Sequence, residues 1–212
     1  MLRGLLTILC AVCLSCQGQM LRGMWAAMPD SLMPTIEKSQ RMVLIDLYDI
    51  RMKAVGDTTL KAVVPNLLHG ESRLDTLTND FLRLVLNDCS VWEMKLLPGK
   101  DNATDSLLCV SHTLFGELPE SKVSFFSSDW ELLSDTIYTS SQLILKPDTM
   151  SVSAFSEALE QVSVVLWEAR LSADTDELML SPSFPFTTRE MRVQLQPLFL
   201  QRKLKWNGQT FN

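Results

Sequence analysis

Nucleophilic hydrolysis needs a serine or cysteine beside a histidine that a carboxylate orients, and this chain of 212 residues has two histidines, His69 and His112. Neither sits in a catalytic signature. There is no G-x-S-x-G, and Ser111, next to His112, points to the opposite face if that stretch is a strand. His112 falls on the apolar parity of its segment and reads as a half-buried core histidine. Carboxylate pairs for glycoside chemistry depend on tertiary separation. Asp129, Glu131 and Glu168, each near a tryptophan, are the ones to test, and they read first as residues of turns and outer strand faces. The sequence predicts no cofactor, because it carries no phosphate loop, dinucleotide fingerprint or calcium loop. Cys89 and Cys109, without clustered histidines, predict no metal site. The same two cysteines are candidates for a disulfide, one in a turn and the other in the next strand.

Composition narrows the partners. Nineteen Lys and Arg against 25 Asp and Glu give a net charge of −6, which argues against nucleic acid, since phosphate binding needs a basic face. Arg202, Lys203 and Lys205 are the densest basic cluster and read as a solvated strand face. Met1-Leu2-Arg3 followed by the apolar run Leu5 to Leu14 resembles a bacterial secretion signal, with small residues placed for a cut after Gly18. That run is too short to span a bilayer, and no later segment predicts a transmembrane span. Cys16 after Leu14-Ser15 is a candidate for lipid attachment, although Cys13 stands where a lipobox has a large aliphatic residue. The expected place is therefore the periplasm or the outer membrane.

The elements that would position any site begin with helical spacing at Trp25, Met28 and Leu32, interrupted by Pro29 and Pro34, with a new start capped by Asp30 or Ser31. A second helix is expected from about Gln40 to Asp49. Leu74 to Pro98 reads as a β-hairpin: Leu82, Leu84 and Leu86 alternate with polar residues, then Trp92, Met94 and Leu96 do, around the turn Asn87-Asp88-Cys89-Ser90. Its register predicts that Leu84→Asp unfolds the protein and Arg83→Asp does not. Leu107 to Phe115 and the stretch holding Val123 and Phe125 read as further strands. Ser151 or Ser153 caps a helix from Ala154 to about Gln161. Val165 to Leu171, Glu177 to Leu180, Met191 to Leu195 and Leu198 to Trp206 read as strands, with a proline loop Pro182 to Pro185 and a hairpin turn at Asn207-Gly208.

Met28-Pro29-Asp30-Ser31-Leu32-Met33-Pro34, Arg41 with Asp46, Met52-Lys53-Ala54, the turn ending at Gly70, Leu77-Thr78-Asn79-Asp80-Phe81-Leu82 and Met94-Lys95-Leu96-Leu97-Pro98 resemble a family of small exported Bacteroidales proteins grouped only as a domain of unknown function. The resemblance implies a lineage and a compartment but no activity. His69 stands where the family's turn would have a second glycine.

A modification motif fits that compartment. Seven of the 14 aspartates precede Ser or Thr, and six of those continue with an apolar residue or Thr: Asp30-Ser31-Leu32, Asp57-Thr58-Thr59, Asp75-Thr76-Leu77, Asp105-Ser106-Leu107, Asp135-Thr136-Ile137 and Asp148-Thr149-Met150. The triplet resembles the acceptor motif of the O-glycosylation system that Bacteroidetes apply to exported proteins, and turns and helix caps select the same pairs. Exposed loops favour Thr58, Ser106, Thr136 and Thr149 as acceptors over Ser31 and Thr76.

The expected architecture is α+β: a signal at 1–18, then tandem helix-then-antiparallel-strands units at 19–146 and 147–212, either as two domains or as one continuous domain, with helices on one face of a sheet. Two function classes follow. One is a non-catalytic exported module that binds an envelope protein or glycan through a sheet face or through aromatics such as Trp130 and Trp206. The other is a small periplasmic hydrolase without a recognisable motif. A pocket where polar groups converge would favour the second, a flat or grooved apolar patch the first.

Overall fold

The computed structural model describes residues 21–54, 59–100, 106–185 and 187–212, and the chain is α+β. Helix α1 over 21–27 leads into α2, Lys38–Lys53. Strands β1 (Val63–Pro65), β2 (Glu71–Leu77), β3 (Phe81–Asn87), β4 (Ser90–Leu97), β5 (Leu107–Phe115), β6 (Pro119–Phe126) and β7 (Leu132–Ile137) form a seven-stranded meander, each antiparallel to the strand before it. Then come α3 (Val152–Glu160), β8 (Leu166–Leu171), β9 (Glu177–Ser183), α4 (Arg189–Leu195) and β10 (Arg202–Lys205), with a three-stranded sheet in the order β10-β9-β8.

The alternation in β3 and β4 fixes the register of the large sheet. Leu82 pairs with Met94 and Leu84 with Trp92, and Met94 and Trp92 pair in turn with Val110 and His112 of β5. One face is thereby apolar, and α1, α2 and the turn after α1 cover it with Leu21, Trp25, Met28, Leu44 and Tyr48. Each such buried aliphatic or aromatic side chain stabilises the fold by about 1.5–3 kcal/mol.

The opposite face has apolar residues at Phe81, Leu97, Cys109 and Val123, but its centre is polar: Glu93, Lys95, Ser111, Thr113 and Ser121 are all buried. These side chains close the free edge of β8. Ser121 Oγ accepts from Ala169 N at 2.8 Å, Ser111 Oγ donates to Ala169 O at 2.7 Å, and Glu93 Oε2 accepts from Leu171 N at 2.8 Å. Lys95 Nζ donates to Ala173 O at 3.1 Å and pairs with Asp80 at 2.9 Å. An edge strand that would otherwise bury unpaired backbone groups is thus satisfied by side chains of another sheet.

Several expectations change. Asp30 and Ser31 are not the N-cap of a helix that starts beside them: Glu37 is the N-cap of α2, in a reciprocal box with Gln40, and Asp30 reaches it from eight residues away, accepting from Lys38 N and from the buried Arg41. Met191 to Leu195 is helix α4 rather than a strand: Thr188 Oγ1 caps it by accepting from Met191 N, and the apparent alternation is broken because Leu195 is buried while Val193 is 66% exposed. Pro182 lies inside β9, opposite Trp167, instead of in a loop. Helices also lie on both sides of the large sheet rather than one, since Phe155, Leu159 and Leu195 join the second core. With α4 between β9 and β10, the second half does not repeat the element order of the first.

A groove floored by Trp92 and His112

The helix-covered face is incompletely closed at one end, where β3, β4 and β5 meet two turns. There a groove of about 300 Å³ is lined by Leu32, Met33, Leu68, Leu86 and Leu114 around Trp92 and His112. Both walls are pinned by buried polar side chains. Arg41, fully buried, donates to Trp25 O, Met28 O and Ile36 O and so holds the turn that carries Leu32 and Met33. Asn66 donates to Ser72 Oγ and Leu86 O and accepts from Leu68 N and Gly70 N, which fixes the other turn. Leu67 N donates to Thr35 O and ties the two turns together. His69, at φ 60°, takes the left-handed conformation where the resemblance led us to expect glycine; it is exposed and does not line the groove.

On the floor, the Trp92 and His112 rings lie 4.7 Å apart at 33°. His112 Nε2 is 2.9 Å from Ser90 Oγ, and burial holds the imidazole below the usual histidine range, so it is neutral at neutral pH. Among the described residues no carboxylate bonds to His112. No Asp, Glu, Lys or Arg among the described residues lines the groove. Trp92 Nε1 and Thr35 Oγ1 are buried without a hydrogen-bond partner. Sequence reasoning missed the Ser90–His112 pair because the partners meet only through the β4–β5 register, which sets His112 beside Trp92, two residues from Ser90. The placement of His112 on the apolar parity was the available signal.

The other candidates do not converge on this site. Asp129 and Glu131 are exposed in a turn, whereas Glu168 is buried on β8 against Arg170. Cys89 is exposed and Cys109 buried, and both thiols are free. Cys109 pairs with Lys95, five residues along β4 from the Ser90 that follows Cys89, which is about 17 Å at the rise of a strand and well beyond disulfide reach. Burial pushes the Cys109 thiol up. Trp130 is buried rather than exposed, at φ 63°, with its indole N–H donating to Met24 O at 2.8 Å. Trp206 is half-buried, donates to Pro98 O, and stacks on Phe125 at 5.4 Å. Thr149 is exposed in a turn and Ser106 is half-buried, whereas Thr136, though exposed, lies within β7 and not in the loop expected for an acceptor; Thr58 and Cys16 lie outside the described residues. No group of His, Cys, Asp and Glu among the described residues is placed to hold a metal ion, and no helix among them is long and apolar enough to cross a membrane.

The fold and groove together define an α+β protein with a covered meander, a second sheet docked by its edge and one uncharged cleft. The chain belongs to the family described as protein of unknown function (DUF3256), whose model matches residues 13–211. Among solved structures it is similar to a domain of an uncharacterized protein from Porphyromonas gingivalis W83, a member of the Bacteroidales, with a TM-score of 0.65 and 17% identity over 91% of this chain and 96% of that one. At that identity the likeness speaks for the fold. No curated protein matches the chain.

Proposed function

We propose that the protein is an exported, non-catalytic binding module of the bacterial envelope, which holds an uncharged and largely apolar segment of an envelope protein in the groove over Trp92 and His112. The observation that carries this reading is the groove's lining: aliphatic walls, an aromatic floor and no charged side chain. Such a surface favours apolar contact with one or two oriented hydrogen bonds. The alternative, a small hydrolase, draws on the Ser90–His112 contact, but Ser90 is itself buried and its histidine lacks an orienting carboxylate among the described residues. NMR titration with neutral apolar peptides tests the two together. Shifts of the Trp92 indole and His112 ring signals that Leu114→Asp abolishes support binding. Ester turnover that Ser90→Ala abolishes selects the hydrolase.

The same proposal includes removal of residues 1–18, or lipidation at Cys16, and two units at 19–146 and 147–212. It also includes glycan on at least one of Thr58, Ser106, Thr136 and Thr149. Mass spectrometry of the protein from its native envelope tests the processing: an intact Met1 rules out export, diacylated Cys16 selects the anchored form, and a mass equal to that of the cytoplasmically expressed mature chain rules out glycan.

A further inference from the structure

Two sheets have four outer edges, and the chain closes three of them. Strand β1 is only Val63–Pro65 and ends on a proline. The β8 edge is met by Glu93, Ser111 and Ser121. Strand β10 carries Arg202, Lys203 and Lys205, and Asn212 exchanges backbone bonds of 2.8 and 3.0 Å with Lys205. Among the described residues, strand β7 has no such device. It ends the large sheet, all six of its residues are exposed, and Leu132, Leu133 and Ile137 are exposed by 55, 53 and 51%. A bulge at Leu133 bends its start, yet Ser134 to Ile137 pair regularly with β6. Its one charged residue, Asp135, is engaged by Lys122 at 2.5 Å. Natural sheets seldom leave such an edge in water, and its open N–H and C=O groups are best met by another extended backbone.

We propose that this backbone is β7 of a second copy, paired antiparallel about a two-fold axis so that the two large sheets become continuous. This edge, the one left open among the described residues, complements itself, which favours a copy as the occupant. Pairing β7 with β7 closes after two chains, whereas joining unlike edges would need a second open edge and would run on as a fibre. Antiparallel pairing also lays the Leu132-Leu133 end of one copy against the Ile137 end of the other, while each Asp135 keeps its own Lys122. A six-residue seam is only about 20 Å long, which makes the dimer weaker than an interface of standard size and dependent on concentration. The net negative charge of each copy opposes association, so salt strengthens the dimer.

Sedimentation velocity of the full mature chain from micromolar to millimolar concentration, with hydrogen exchange of the β7 amides, is the test. The dimer fraction should rise with concentration and with salt, and exchange at Ser134 to Ile137 should slow in step. Leu133→Lys, at a residue already more than half exposed, should raise the dissociation constant about tenfold or more without lowering the melting temperature. Val43→Lys, on an exposed aliphatic of α2, should leave association unchanged. A wild-type chain that stays monomeric at millimolar concentration overturns the proposal, as does one that takes an unrelated extended peptide along β7 but not itself. A dimer that survives Leu133→Lys, with β7 exchange unchanged, also overturns it.

Discussion

Across the large sheet, the side under α1 and α2 is lined by Leu74, Leu82, Leu84, Met94, Leu108 and Val110, while the centre of the side under β8 is Glu93, Lys95, Ser111, Thr113 and Ser121. Both sides are buried, and what buries them differs. A helix brings an apolar stripe whose backbone is already satisfied, so aliphatic contact is enough. A strand laid edge-on brings unpaired N–H and C=O groups, and an apolar surface there would leave Ala169 and Leu171 with orphaned backbone atoms. The chemistry of each face follows from its cover.

Substitutions on the two faces should fail differently. The largest effect is expected from Leu84→Asp, fully buried under the helices: a buried carboxylate costs several kcal/mol against a total of roughly 5–15 kcal/mol, so circular dichroism should show an unfolded chain. Arg83→Asp, which the sequence alone suggested would be silent, comes next. Arg83 is ion-paired to the buried Glu93 and lies near Asp75, so an aspartate there opposes two carboxylates. With Arg83 itself 30% exposed, solvent screening keeps the expected loss to about 1–3 kcal/mol by urea denaturation. Ser111→Ala removes one neutral bond to Ala169 O and should cost about 1 kcal/mol; equal losses for Ser111→Ala and Leu84→Asp would erase the distinction between the faces.

The smallest effect is a slope. Burial raises the Glu93 carboxyl above its usual range, against the lowering pull of Leu171 N–H and Arg83. A group raised in the folded state contributes stability that is fully present below its unfolded pKa and is lost as pH rises through the folded value. Glu93→Gln keeps an acceptor for Leu171 N but no longer titrates. Between about pH 4 and 7 the wild type should therefore lose stability relative to this variant as pH rises, in paired chemical melts. Parallel curves would mean that Glu93 is charged at no cost in the fold.

The β3–β4 hairpin and β5 were legible because their residues alternate, and β5 was located at both ends, Leu107 and Phe115. The cap at Ser151 and the turn before Gly208, at φ 95°, were legible as local chemistry. Strand β7 was not, since a strand exposed on both faces has no alternation to read. Helix α4 was misread because seven residues cannot separate a period of 2 from one of 3.6. The groove and the β8 edge cap are set by register: Ser90 meets His112 only once β4 and β5 are aligned, and Ser111 meets Ala169 only when the second sheet docks on the first. Trp130 illustrates the same limit, because its burial depends on Met24, 106 residues earlier.

The order of the large sheet bears on synthesis. Every strand from β2 to β7 pairs with the one just before it, so each can be added as the chain emerges, without waiting for a distant partner. The helices that cover the greasy face come first and can shelter each new strand as it arrives. The last strands made are those that cover the other face, and until they exist that face shows water a centre of Glu93, Lys95 and hydroxyl groups instead of an aliphatic sheet. A half-finished chain therefore waits with its less adhesive side outward, and the side chains that later cap β8 serve first as protection for the nascent protein.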